Sequence, residues 1–176
     1  MDHKAYILDH EAFSSELSDI LYRALETGET GGLVSFIQRN LGVLKEPYEG
    51  EPLDESWITM IESHDPHQYG DFALTKFYDP KNEMGLGDVG GAVIEVLRRE
   101  LQCDHLPVLG SPFGPPGAEF DPGKLGSYFQ DAKDVKENLQ TLESLRSRLR
   151  HTRLFDGAIH LLETAQEQGR GLYVTF

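Results

Sequence analysis

Residues 155–176, FDGAIHLLETAQEQGRGLYVTF, decide the fold. Phe155, Ile159, Leu162 and Ala165 recur at steps of three and four residues, the spacing of one helical face. Gly169 and Gly171 then stop the helix. From Leu172 the pattern changes: Leu-Tyr-Val-Thr-Phe is an unbroken run of aliphatic, aromatic and β-branched residues, which reads as a strand. A terminal strand closing on a bare aromatic is best satisfied inside a sheet, and Ala5-Tyr-Ile-Leu8 is the strand it is expected to lie near. The fold class that follows is α+β: a predominantly helical single domain over 1–176, with a small sheet that includes the N- and C-terminal strands. An all-helical domain is the alternative.

Working backward, Val135, Leu139, Leu142, Leu145 and Leu149 step by four, three, three and four, which predicts a long amphipathic helix with Leu139, Leu142 and Leu145 buried. Before it, Ser111 to Gly126 is too rich in proline and glycine for regular structure, and 107–110 reads as a brief strand. Toward the N-terminus, Phe13, Leu17, Ile20, Leu21 and Ala24 predict one helix ending at Gly28. Thr30 is placed to cap a second, carrying Leu33, Phe36, Ile37 and Leu41. Asp54 caps a short helix whose Trp57, Met60 and Ile61 share a face, and Asp65-Pro66 stops it. Residues 72–78 fit strand or helix. Asp88 opens a helix with Val89, Val93, Val96, Leu97 and Leu101 on one side and Arg98 and Arg99 at its end.

The chain of 176 residues is long enough to bury a core unaided, and an apolar fraction of 39% with 26% charged residues is that of a globular protein. The first residues lack a signal-peptide pattern, no run reaches membrane-spanning length, and Cys103 is the single cysteine, expected as a buried thiol. A cytoplasmic location follows as an expectation. A net charge of −14 opposes nucleic acid and anionic membranes, so neither is expected as a partner. The acid is densest at Glu46, Glu49, Glu51, Asp54 and Glu55. Arg146, Arg148, Arg150 and Arg153 cluster near the end.

Few motifs carry chemistry. Gly85-Leu-Gly-Asp-Val-Gly90 matches the dinucleotide fingerprint, but Lys81, Asn82 and Glu83 precede it where a hydrophobic strand should, and Asp88 would face the phosphates. It reads as a turn starting a helix. His64, Asp65, His67 and Asp71 form a metal-like set that Pro66 interrupts, so no metal or other cofactor is expected. Cys103-Asp104-His105 aligns a thiol, an acid and an imidazole, yet sequence neighbours seldom point at a common substrate. No nucleophile elbow, phosphate-binding lysine loop or His-Glu-x-x-His helix occurs. Phe113 and Phe120 stand in the long irregular loop, either as binding groups or as anchors to the core.

Leu53-Asp-Glu-Ser-Trp57, the Leu109-Gly110 turn, Tyr128-Phe129 before a helix and the closing helix-Gly-strand together resemble the uncharacterised YfbM-like bacterial proteins. The matches cover less than half the chain and leave out the first fifty residues. The resemblance implies a fold and no activity. Function is therefore read from surface and composition: a protein-interaction module of the immunity or inhibitor type, meeting a basic protein through Glu46, Glu49, Glu51, Asp54 and Glu55. The alternative is a small-molecule-binding domain or enzyme with a pocket under loop 111–126, where Phe113 and Phe120 would bind and His64, His67 and His105 are the acid-base groups.

Overall fold

The termini meet in one sheet. In the computed structural model, which describes residues 2–103, 105–149 and 152–176, strands β1 (Lys4–Leu8), β2 (Ser127–Gln130) and β3 (Gly171–Thr175) form an antiparallel sheet in the order β1-β3-β2. Lys4 pairs with Thr175 and Leu8 with Gly171. One sheet face carries Ala5, Leu172 and Val174 into a hydrophobic core. Tyr6, Leu8, Phe129 and Tyr173 alternate onto the other face and are also buried, with Tyr173 packed on Tyr6 at 6.2 Å and on Phe129 at 5.2 Å. Burial on both faces explains why the strands read as continuous apolar runs.

Among the described residues seven α-helices accompany the sheet: α1 (His10–Glu16), α2 (Ser18–Thr27), α3 (Gly31–Asn40), α4 (Pro66–Leu74), α5 (Gly90–Leu101), α6 (Ala132–Arg148) and α7 (Asp156–Glu167). The chain divides into two compact units. One comprises Met1–His10, Glu83–Ser111 and Tyr128–Phe176; the other comprises Glu11–Asn82 and Pro112–Ser127. In the first, α6 and α7 pack together and on β3. The expected stripe is buried: Leu139 is 6% exposed, Leu142 0% and Leu145 1%. A capping box holds the start of α6, the Asp131 carboxylate accepting from Asp134 N–H at 2.7 Å and the Asp134 carboxylate from Asp131 N–H at 3.3 Å.

Several local expectations are corrected. Residues 107–110 are a turn, with the amides of Leu109 and Gly110 both donating to the Leu106 carbonyl. Pro107 offers its carbonyl to Gln130 Nε2 at 3.0 Å, and Asn138 Nδ2 donates to Gln130 Oε1 at 2.9 Å. The third strand is β2, whose four residues are too few to show a period. The helix expected over 13–24 is two, broken at Leu17, where φ is −121°. Thr30 precedes α3 without a side-chain capping bond, and Val89 rather than Asp88 precedes α5. Met60 does not share the buried face of Trp57 and Ile61 and is 47% exposed. Cys103 is exposed, its Sγ donating to the His105 carbonyl at 3.1 Å. Asp104 and Arg150, members of the expected thiol triplet and arginine cluster, lie outside the described residues.

The second unit packs α4 against α2 and α3. Here Pro66 starts a helix instead of stopping one. It occupies the first turn, where its missing N–H costs nothing, and the Asp65 carboxylate accepts from Gln68 N–H at 2.9 Å. Residues 72–74, ambiguous by pattern, finish α4, and turns follow to 78.

Candidate functional site

The glycine fingerprint is structural. His3 exchanges backbone hydrogen bonds with Gly87, both at 3.0 Å, and is itself fully buried. A Cβ at Gly85 would stand 2.0 Å from the His3 carbonyl oxygen, and one at Gly90 would stand 2.4 Å from the His3 Cβ. The glycines admit the N-terminal segment, not a pyrophosphate. The imidazole spans the same turn: Nδ1 accepts from Leu86 N–H at 3.2 Å and Nε2 donates to the Val108 carbonyl at 2.8 Å. Both ring positions are used by the neutral form, and burial lowers its pKa below the ordinary 6.5.

The His64–Asp71 segment becomes the start of α4, which separates its members. His64 lies outside the helix with Nδ1 2.8 Å from the Tyr69 hydroxyl. Asp65 is the cap; burial opposes its ionisation, but the Gln68 amide, the Ser63 hydroxyl and His67 hold its pKa below the usual carboxylate value. His67, in the first turn, accepts at Nδ1 from Asp121 N–H at 3.0 Å, which leaves its proton on Nε2. Among the described residues no three His, Cys, Asp or Glu side chains gather to hold a metal.

What this segment builds is a cleft of about 380 Å³. Glu62, Ser63, Asp65, His67 and Gln68 form one side; Asp121, Pro122 and Lys124, from the end of the proline-rich loop, form another; Tyr48 stands at the rim, 71% exposed. His67 stacks on Phe120 at 6.3 Å, and Phe120 is fully buried. Phe113 lies edge-on to Phe13 at 5.3 Å and to Tyr22 at 6.3 Å. The two phenylalanines thus seat the loop, while its polar end reaches the cleft.

Asp71 follows His67 by one turn of α4 and is 7% exposed. Among the described residues it has no hydrogen-bond donor, and burial followed by the charge of Glu46 raises its pKa to about 7. Nor is any fully buried side-chain oxygen or nitrogen there without a partner, so the exposure that Asp71 keeps includes its carboxyl oxygens. Tyr48 feels the same field: lost hydration, then the charges of Asp71, Glu46 and Glu62, raise the pKa of its phenol.

The five acids of 46–55 are not equivalent. Glu46 turns its carboxylate onto the amides of Tyr48 and Glu49. Glu51 pairs with Lys81 at 2.8 Å, and Asp54 accepts from the amide and hydroxyl of Ser56; these bonds lower both carboxyl pKa values. Glu49 and Glu55 remain exposed. Sequence reasoning found His67 and Asp71 as candidate ligands and missed Tyr48, Glu62, Asp121 and Lys124, which no spacing links. Set against family models, curated proteins and solved structures, the chain matches none. No helix among the described residues is long and apolar enough to cross a membrane.

Proposed function

We propose that this protein is an interaction module of the immunity or inhibitor type, meeting a basic partner protein through segment 43–60. One observation carries the reading. This segment exposes Val43 (59%), Tyr48 (71%), Ile58 (39%) and Met60 (47%) among exposed acids, including Glu49 and Glu55. Apolar and aromatic side chains left in water within one segment are what an interface buries, and acids around them favour a basic partner. Three nearby lysines do not neutralise them, because Lys45 pairs with Asp79, Lys76 with Glu16 and Lys81 with Glu51.

The test begins with cross-linking in native extract and identification of the basic protein captured. Association is then timed for wild type and Glu49→Gln/Glu55→Gln across a salt series. The expected result is association several-fold slower at low salt with dissociation little changed, the difference vanishing as salt rises. Equal association rates at low salt would remove the segment's charge from the interface.

A further inference from the structure

We propose that the hydrogen bond between His67 and the Asp121 amide is a pH-operated latch: proton uptake by the imidazole releases the turn 121–126 and so opens one wall of the cleft beside Tyr48. The proposal concerns the shape of the cleft and does not need the partner reading above.

The direction of the bond carries the argument. A backbone N–H can only donate, so the 3.0 Å contact requires a bare lone pair on His67 Nδ1. A ring turned over would put a carbon there, and a protonated ring would put a second N–H there; neither accepts. The latch is therefore closed only while His67 is neutral. Protons can reach it, because the ring is half-buried and lines the cleft.

What the bond holds is a small unit. The turn is closed on itself, Asp121 Oδ1 accepting from Gly126 N–H at 3.0 Å and the Asp121 carbonyl from Lys124 N–H at 3.4 Å. The chain before it is fixed, since Phe120 is fully buried and its N–H donates to the Phe113 carbonyl at 2.7 Å. Among the described residues the Asp121 amide provides the hydrogen bond that ties the turn to α4. Lys124 sits at φ +58°, a left-handed conformation that a lysine adopts at a cost, so release relaxes the backbone. Asp121, Pro122 and Lys124 line the cleft and move with the turn.

The surrounding charges favour the switch. Glu62 and Asp65 from the segment before α4, Asp121 and Lys124 from the turn, and the Tyr48 phenol line the cleft with His67; α2 and α3, which pack on α4, contribute none of the lining. Asp71 follows one turn along α4, and His64, before the helix, is engaged with the Tyr69 hydroxyl. Three carboxylates against one lysine in the cleft stabilise an imidazolium. The proton gained makes Nδ1 a donor, which repels Asp121 N–H and attracts those carboxylates. The acids that draw the proton are thus the new partners of the released ring.

Amide exchange, expressed as protection over the unstructured rate, is followed by nuclear magnetic resonance at about pH 7.5 and about pH 5, together with the ring signals of His67. The ring is expected to take up a proton while the Asp121 amide loses at least about tenfold in protection and the amides within α4 and α6 keep theirs. His67→Asn offers an amide oxygen close to the place of Nδ1 and cannot titrate, so Asp121 should stay protected at both pH values. His67→Ala should leave it unprotected at both. Asp71→Asn removes the other group on α4 that gains a proton in this range and should leave the switch intact. A ring still neutral at about pH 5 overturns the proposal, as do unchanged Asp121 protection in the wild type, a loss that persists in His67→Asn or vanishes in Asp71→Asn, and a loss of protection throughout α4. If His67→Ala fails to fold, wild type against His67→Asn decides.

Discussion

Asp71 ionises in the folded chain only against its burial and the charge of Glu46, which place its pKa at about 7 instead of 3.8. Between those values the folded state keeps a proton that the unfolded chain has released. Stability from this group therefore falls as pH rises through that window, and the full penalty applies above pH 7. Asp71→Asn keeps the shape and removes the charge, so it should raise unfolding free energy at pH 8 by about 2–4 kcal/mol and change little near pH 4. Equal urea midpoints at pH 8 would contradict the burial of a donorless carboxyl. His3 and His10 act in the opposite sense, since burial lowers both below 6.5 while Asp131 and Asp134 partly restore His10. Their contribution is complete above 6.5 and is lost as pH falls toward their folded values. In the Asp71→Asn background, stability should thus decline between pH 7 and 5.5, a slope that Asp71 masks in the wild type. The glycines provide a second comparison. Gly85→Ala should cost about 2–4 kcal/mol, because its Cβ would meet the His3 carbonyl, whereas Gly91→Ala, exposed in α5 with nothing within 4 Å, should gain about 0.5–1 kcal/mol. Thermal melts of the two variants decide it. None of these residues announces its environment in sequence: Asp71 looks like a metal ligand and Gly85 like a nucleotide motif until their neighbours are known.

Helix α6 was the most legible element, because its apolar step is sustained over four turns and its cap is a local pair, Asp131 with Asp134. Leu142→Ala should cost about 2–5 kcal/mol in urea unfolding, and Glu143→Ala, exposed on the adjacent position, should stay within about 0.5 kcal/mol. A reversed order would mean that the buried face is misplaced. Legibility falls where length or punctuation is ambiguous. A four-residue strand such as β2 has no room to show alternation. The break between α1 and α2 lies inside one apolar pattern, since Phe13, Leu17 and Leu21 are all buried on both sides of it. Pro66 ends a helix or begins one with equal chemical ease, and only the Asp65 carboxylate turned onto Gln68 shows which.

At the scale of the molecule, charge dominates. A net charge of −14 on 176 residues repels itself in the folded state, and ion pairs such as Lys45–Asp79 and Arg146–Asp156 are partly exposed and individually weak. Sodium chloride raised from about 0.02 to about 0.3 M shortens the screening length severalfold and should raise the urea midpoint. A midpoint that falls would show that attractive pairs outweigh the repulsion. Periodicity, turn residues and charge are local or additive quantities. They were sufficient by themselves to determine the α+β class, the adjacency of the terminal strands, the buried stripe of α6 and the acidic character of the surface. Only the tertiary structure decided that His3 reaches Val108, that His67 reaches the Asp121 amide, and that Asp71 is buried near Tyr48. Their positions in sequence are separated by up to 105 residues, and such contacts arise from the packing of whole elements, which no spacing along the chain encodes.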